Sequence, residues 1–142
     1  VDGGTNIEEQ WGDGPQTYLG LMVARLPNMF MITGPQSPGV KSQMILSIEW
    51  HVNWIAECLA HMINCNHTRV MAKEDAQRRW VDHVREVANS TLYPLANSWY
   101  MGANIPGKPR VFMPYVAGVE AYTKECKRIV QQGYEGFEFS TN

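Results

Sequence analysis

Cysteine is scarce in this chain of 142 residues, and long apolar runs are missing. The three cysteines, Cys58, Cys65 and Cys126, cannot all pair with one another, which excludes a disulfide framework that uses every one of them. An odd count without a secretory signal favours reduced thiols and a cytoplasmic location. No apolar run approaches the roughly 20 residues needed to cross a bilayer, so we expect no membrane partner.

Positive charge is not in excess either. Lys and Arg number 12 against 14 Asp and Glu, a net charge of −2, which predicts no electrostatic attraction to nucleic acid. Hydrophobic residues make up 44%, enough for one domain with a core. The chain begins Val1-Asp2-Gly3-Gly4, with neither an initiator methionine nor a signal segment, and we expect it to be a piece of a longer polypeptide.

The common catalytic and metal motifs are also missing. The sequence has no P-loop, no G-x-G-x-x-G and no G-x-S-x-G nucleophile elbow, which argues against nucleotide hydrolysis and acyl transfer. Cys58, His61 and Cys65 fall on one face of a predicted helix, with His67 nearby. Three ligands on one straight helix do not converge tetrahedrally on an ion, so we predict no metal site, only buried thiols and a surface histidine.

A strand, a turn and a long helix form the most informative unit. Residues 28–33 are a continuous apolar run closed by Gly34-Pro35, typical of a strand buried on both faces of a parallel sheet. A helix is predicted from near Ser42 to residues 64–66. Its predicted buried face consists of Ile45, Ile48, Val52, Ile55, Leu59 and Met62. Trp50 and Trp54 lie on a neighbouring strip, which indicates a second contact surface.

The remainder is predicted as two more helices around a long loop. In chain order, the predictions are an extended segment at 68–71, a helix from Glu74 to the Leu92-Tyr93-Pro94 stop, an ordered loop at 95–115, a helix over 117–132 capped by Gly133, and an extended tail at 134–139. A structured loop of that length in a small domain is usually functional.

Two segments have properties of a cofactor site, each with a plainer alternative. Where the strand meets the helix, free N–H groups at the sheet edge can stabilise negative charge on a cofactor ring or a phosphate. The alternative is an ordinary α/β unit with a proline-rich turn. The segment 98–110 combines aromatics, glycines and cations, and suits a lid over a flat ring, with Trp99 as a stacking face. The alternative is a surface loop pinned by buried aromatics.

Several spaced motifs carry a resemblance to a known family. They are Trp11-x-Asp13-Gly14-Pro15-x-Thr17-Tyr18-Leu19-Gly20, Leu26-Pro27-Asn28-Met29-Phe30, Gly34-Pro35-x-Ser37-Pro38, the stretch from Ser98 to Arg110, Tyr115-x-x-Gly118 and Gly133-Tyr134-Glu135-Gly136-Phe137. In this order they resemble the C-terminal motifs of type I Baeyer–Villiger flavin monooxygenases, most closely the phenylacetone and steroid monooxygenase branch. The resemblance covers essentially the whole chain.

The resemblance implies an α/β fold and an oxidoreductase. Residues 1–142 would be the C-terminal portion of an FAD-binding Rossmann-like domain, mostly helical, with the final sheet strand near 28–33 and a mobile cofactor lid near 95–115. The NADP domain and the N-terminal half of the FAD domain would be absent. The complete enzyme would use NADPH, FAD and O2 to insert one oxygen atom into a ketone, giving an ester or a lactone.

Site residues are implied by the same match. Gly34 and Pro35 correspond to a turn near the flavin ring, Met44 to an FAD contact, and Trp99 to a lid tryptophan that contacts the nicotinamide cofactor. The loop implied to shape the ketone pocket consists of Gly39, Val40 and Lys41. The family's dinucleotide fingerprints and active-site arginine would lie upstream of residue 1. No catalytic residue is therefore expected here, and the isolated chain is not expected to hold FAD.

Departures from the family pattern leave the substrate open. Lys41 replaces a small or apolar residue, Gly39 a common Ser, Gln43 a common Asn, and Ala117 a Gly, while Arg25-Leu26 stands where Gly-Phe is frequent. Two alternatives are kept. One is a related monooxygenase that oxidises nitrogen or sulfur, and the other is a non-catalytic, stand-alone interaction module.

Overall fold

Three long helices and one small sheet make up the fold. The computed structural model describes residues 6–39, 43–96, 99–103, 106–107 and 109–141. The elements in chain order are α1 (Ile7–Gln10), α2 (Met44–Asn64), β1 (Arg69–Ala72), α3 (Glu74–Asn89), α4 (Val119–Gln131) and β2 (Phe137–Ser140), with 3-10 turns at Tyr93–Leu95 and Trp99–Met101. No helix in this part of the chain combines the length and apolarity needed to span a membrane.

Helices α3 and α4 confirm the two further helices that the sequence predicts. Each has a narrow apolar stripe opposite a charged face, so only one face can pack against the core. In α3 the stripe buries Ala76, Trp80 and Val84. In α4 the buried residues are Tyr122, Cys126 and Ile129.

The predicted glycine cap after α4 is present. Gly133 has a φ of 70°, in the left-handed region that glycine adopts readily. Its N–H donates to the carbonyl of Val130 at 3.0 Å, and the N–H of Tyr134 donates to the carbonyl of Ile129 at 2.9 Å. These are the two hydrogen bonds of a Schellman motif, which reverses the chain into β2.

The two segments predicted to be extended pair with each other. Strands β1 and β2 are antiparallel, with Val70 opposite Phe139 and Ala72 opposite Phe137. Phe137 is buried and packs on Trp54 and Tyr18, so the sheet covers one end of the core. The sequence predicted both segments but not their pairing.

The segment 28–33, predicted to be a sheet strand, has no strand partner within the described residues, so the strand stays a prediction. Only an isolated antiparallel bridge joins Phe30 to Met22, and the N–H of Met31 donates to the carbonyl of Leu21 at 2.7 Å. Ile32 is 48% exposed, so the run is not buried on both faces. A central strand needs a hydrogen-bonded strand on each side, and in the described residues the strands that pair are β1 and β2, not this segment.

The prediction of which face of α2 is buried is wrong. The face that packs against the core is the tryptophan strip, with buried residues Ser47, His51, Trp54, Cys58 and Met62. Most of the predicted face is exposed, together with its neighbours, at Met44, Ile45, Leu46, Ile48, Val52, Leu59 and Ile63. Of the predicted set only Met62 is buried, and Ile55 is half-buried. When a helix is apolar on two faces, the sequence pattern does not reveal which face packs against the core of its own chain.

Candidate functional site

One apolar cleft brings together the residues implied as cofactor contacts. Gly34, Pro35, Met44 and Trp99 all line it, in a volume of about 340 Å³. Gly39 lines it as well. The other two residues expected at a ketone pocket, Val40 and Lys41, lie outside the described residues. The walls are the turn 33–39, the start of α2, the Trp99–Tyr100 segment and residues 113–114.

The turn at Gly34 is packed so closely that only glycine fits. A Cβ atom at this position would lie 2.6 Å from the carbonyl oxygen of Gly20. The N–H of Gly34 donates to that same oxygen at 3.2 Å, so the two turns are in direct contact. Glycine here serves backbone packing beneath the cleft, which is a reason for the Gly34-Pro35 motif independent of any cofactor.

Gln36, within the turn that forms one cleft wall, bonds this turn to residues 15–17, and sequence reasoning missed it. The side chain is 1% exposed, and its Oε1 accepts from the N–H of Thr17 at 2.9 Å. Its Nε2 donates to the carbonyl of Pro15 at 2.8 Å, and its backbone carbonyl accepts from Nε1 of Trp80 at 3.3 Å. A polar residue between two prolines was the only signal available, and it does not distinguish a buried glutamine from an exposed one.

A second buried polar group, His51, contacts the cleft turn from α2. The N–H of Thr33 donates to Nδ1 of His51 at 2.9 Å, and Nε2 of His51 lies 2.9 Å from the hydroxyl of Tyr122. His51 is fully buried, and burial lowers the pKa of its imidazole to about 4. No sequence pattern singles out His51, since it lies within the helix beside the tryptophan strip.

The N-terminal end of α2 lies at the cleft, and among the described residues no side chain caps it. Gln43 occupies the capping position but makes no side-chain hydrogen bond to the helix, and the first turn carries no acidic side chain. Met44, the first helical residue, is 47% exposed on the cleft wall. Uncapped N–H groups and the positive end of the helix dipole favour a partial negative charge at this place.

The opposite wall is aromatic. The rings of Trp99 and Tyr100 lie with centroids 4.0 Å apart and planes inclined by 31°. Trp99 is 62% exposed, so its indole face is free to contact a flat partner. The segment is tied to the cleft by the N–H of Met113, which donates to the carbonyl of Tyr100 at 3.3 Å.

The chemistry of the lining fits a flat ring better than a reaction centre. No charged side chain lines the cleft among the described residues, and its hydroxyl groups belong to Thr33, Ser37 and Tyr100. Ser37 donates to the carbonyl of Gly34 at 2.7 Å, and Thr33 to that of Ile32. These walls can bind and orient an uncharged ring with one electron-rich edge at α2, but they supply no acid or nucleophile.

The described cysteines and histidines outside the cleft form neither a metal site nor an activated nucleophile. Cys58 and Cys126 are buried, and burial raises the pKa of the Cys58 thiol to about 12, which makes it a poor nucleophile. Cys65 is exposed, contrary to the expectation of buried thiols, and its Sγ lies 3.9 Å from both ring nitrogens of His61. In the described part of the chain no three metal-ligating side chains come together.

Comparison with known proteins identifies relatives over nearly the whole chain. No protein-family model matches it. It is 39% identical over 132 residues to a Baeyer–Villiger monooxygenase of Pseudooceanicola batsensis, covering 93% of this chain and 24% of that protein. The chain is homologous to the Baeyer–Villiger monooxygenases. It is also 33% identical to phenazine N-monooxygenase of Lysobacter antibioticus, covering 95% of this chain and 25% of that protein.

Solved structures of monooxygenases match the fold of nearly the whole chain. Oxidized steroid monooxygenase bound to NADP matches with a TM-score of 0.90 and 37% identity, over 99% of this chain and 26% of that one. The protein OTEMO in complex with FAD and NADP matches with a TM-score of 0.88 and 25% identity, over 98% and 25%. The chain spans about a quarter of the length of the curated relatives it matches. Its fold is an α/β segment similar to part of these FAD- and NADP-binding monooxygenases.

Proposed function

We propose that this chain is the C-terminal portion of the FAD domain of an NADPH-dependent Baeyer–Villiger monooxygenase, which inserts one oxygen atom of O2 into a ketone. The observation that carries the proposal is the shared cleft. The resemblance implied Gly34, Pro35, Met44 and Trp99 as cofactor contacts from three separate segments, the last of them 55 residues beyond Met44, and all four line one cleft. The cysteines of the described chain are free, which supports a reducing, cytoplasmic location.

Each wall of the cleft has a separate binding role in this proposal. FAD, when bound, supplies the oxygen chemistry and NADPH the electrons. The Gly34-Pro35 turn and the uncapped start of α2 orient the ring and favour electron density at its nearest edge. Trp99 covers the nicotinamide cofactor and excludes water with its exposed indole face. The residues of this chain bind and shield, while residues from the rest of a longer polypeptide carry the catalysis.

The exposed face of α2 supports the proposed Rossmann-like domain. Ile45 and Ile63 are 76% and 75% exposed at opposite ends of the helix, with other apolar side chains between them. An apolar face of this length is normally covered, since uncovered apolar patches of that size are rare on soluble proteins. We propose that the remainder of a longer chain packs there and supplies the neighbours that turn residues 28–33 into a sheet strand.

The ketone pocket is proposed to begin at Gly39. Among the described residues, a Cβ atom at Gly39 would have only Cβ of Pro114 within 4 Å, at 3.9 Å, so these residues leave room for a side chain there. A Gly39→Ser substitution, which restores the residue common in the family, is expected to change the preference between small cyclic and bulky aryl ketones without loss of folding. Equal relative rates across such a ketone panel would exclude Gly39 from the pocket.

The proposal is tested on the full-length protein with Trp99→Ala. The purified protein should show flavin absorbance, consume NADPH with cyclohexanone or an aryl ketone, and release the ester or lactone. Trp99→Ala is expected to weaken NADPH binding about tenfold or more while leaving the free energy of unfolding unchanged, because the side chain is 62% exposed. Leu95→Ala, at a residue 83% exposed in the same segment, is the matched control and should leave both unchanged. A full-length protein without bound or bindable flavin would refute the assignment.

The relative named phenazine N-monooxygenase favours one second candidate, oxidation of a nitrogen heterocycle. Its identity of 33% is close to that of the ketone-oxidising relative, and the cleft alone does not separate the two substrates. Parallel assays with ketones and with phenazines decide between them. An N-oxide product in the absence of any ester or lactone would establish the second candidate.

A further inference from the structure

Three hydrogen bonds, one half-buried and two buried, lead from the cleft to the core, and each bond has a defined direction. The N–H of Thr33 is a donor, so Nδ1 of His51 must be the acceptor and carries no proton. The neutral imidazole therefore keeps its proton on Nε2 and donates it to the hydroxyl oxygen of Tyr122 at 2.9 Å. Tyr122 in turn donates its own proton to the carbonyl of Leu19 at 2.6 Å. Each donor in this series of hydrogen bonds therefore has an acceptor.

Both ends of this series of hydrogen bonds are residues in the left-handed backbone region. Thr33 has a φ of 53° and Leu19 a φ of 60°. Such a conformation is unusual for any side chain and most unfavourable for a β-branched one, so it persists only where surrounding contacts enforce it. Thr33 lines the cleft beside Gly34, and His51 is its hydrogen-bond partner on α2, the helix whose first residue, Met44, forms another cleft wall.

We infer that His51 is a positioning residue for the cleft, because its neutral imidazole holds Thr33 in its left-handed conformation, next to Gly34, against α2. The expected consequence is that the position of this turn sets the affinity for the flavin ring, and this consequence rests on the proposed function. His51 does not touch the cleft itself, being fully buried behind it.

Protonation of His51 would remove the bond that holds the turn. An imidazolium has N–H groups at both nitrogens, so the N–H of Thr33 would meet a donor in place of an acceptor. The titratable group facing His51 from α4 is Tyr122, whose pKa burial raises well above its usual value, and beside it Cys126, whose pKa burial also raises. Both stay neutral at acid and neutral pH, and Trp50 on the same helix does not titrate. His51 is therefore the group of this cluster that changes charge in acid.

Two substitutions separate the hydrogen bond between His51 and Thr33 from the packing of the His51 side chain. His51→Leu fills the volume but provides no acceptor. His51→Asn can place its amide oxygen near the position of Nδ1, restoring the acceptor without a titratable group. The first readout is hydrogen–deuterium exchange at the Thr33 amide in the cofactor-free protein, and the second is FAD affinity of the full-length protein by flavin fluorescence at pH 7 and pH 4.

The expected results differ between the variants. In His51→Leu the Thr33 amide should exchange about tenfold faster or more, and FAD should bind about tenfold more weakly, as for loss of one buried acceptor. His51→Asn should recover most of both. Between pH 7 and pH 4, where about half of the His51 side chains are protonated, the FAD affinity of wild type should fall about twofold while that of His51→Asn stays constant. If His51→Leu does not fold, the comparison of wild type with His51→Asn across pH still decides.

Contrary outcomes are distinguishable. An unchanged Thr33 amide in His51→Leu would overturn the inference even if flavin binding were lost. A released Thr33 amide with unchanged FAD affinity would overturn the link between turn and cofactor while leaving the proposed function intact. Failure of wild type to bind FAD would refute the proposed function, and the exchange measurement would still test whether His51 holds the turn.

Discussion

Replacing Gln36 with methionine should destabilise the fold without creating a cavity. Methionine has nearly the length and volume of glutamine, so the change removes hydrogen bonds and little packing. The side chain of Gln36 loses its bond from the N–H of Thr17, at 2.9 Å, and its bond to the carbonyl of Pro15, at 2.8 Å. Thr17 is fully buried, so its N–H has no access to water once the acceptor is gone.

The magnitude follows from those two groups. A buried donor left without a partner costs about 1–3 kcal/mol, and the loss of the second, half-buried bond adds about 1 kcal/mol. The hydroxyl of Thr17 adds nothing to this sum, because it can still donate to the carbonyl of Pro35 at 2.6 Å. We therefore expect the free energy of unfolding to fall by about 3 kcal/mol.

Urea unfolding followed by tryptophan fluorescence measures the effect. The matched control is Gln131→Met, at an exposed position on α4, which should change the free energy of unfolding by less than about 0.5 kcal/mol. An equal loss in both variants, or a loss below about 1 kcal/mol for Gln36→Met, would show that Gln36 does not hold the turn and would refute the reasoning.

Three further predictions use the same assay. Because the pKa of His51 lies at about 4 when folded against 6.5 when unfolded, the unfolded chain binds more protons between these values. Stability should therefore drop by about 3 kcal/mol as pH falls from 6.5 to 4. His51→Asn should lose this part of the dependence, and an equal drop in that variant would contradict it. Gly136→Ala should cost about 2–4 kcal/mol, since φ is +84° and the new Cβ would lie 2.5 Å from the Tyr18 hydroxyl oxygen. Gly107→Ala, with a φ of +80° but open space, should cost clearly less. Ile45→Ser should leave the 142-residue chain within about 0.5 kcal/mol but destabilise the full-length protein by about 2 kcal/mol. An equal effect in both would mean that the exposed face of α2 stays uncovered.

The sequence by itself determined the elements whose signals are local. Helices α3 and α4 each carry one apolar stripe opposite a charged face, and that pattern has only one way to pack. Gly133 ended α4 as predicted because a left-handed cap depends on the residue at that position. The set Gly34, Met44 and Trp99 came from the family resemblance, and the structure brings it to one cleft.

Only the tertiary structure decided which surfaces and polar groups are used. Helix α2 is apolar on two faces, and periodicity cannot tell which one is covered within this chain. The run 28–33 has the composition of a strand, but a strand requires partners that composition does not specify. The hydrogen bond from Tyr122 to Leu19 joins residues 103 positions apart. Such bonds depend on which buried donors and acceptors meet after folding, and the local sequence does not encode the pairing of groups so far apart along the chain.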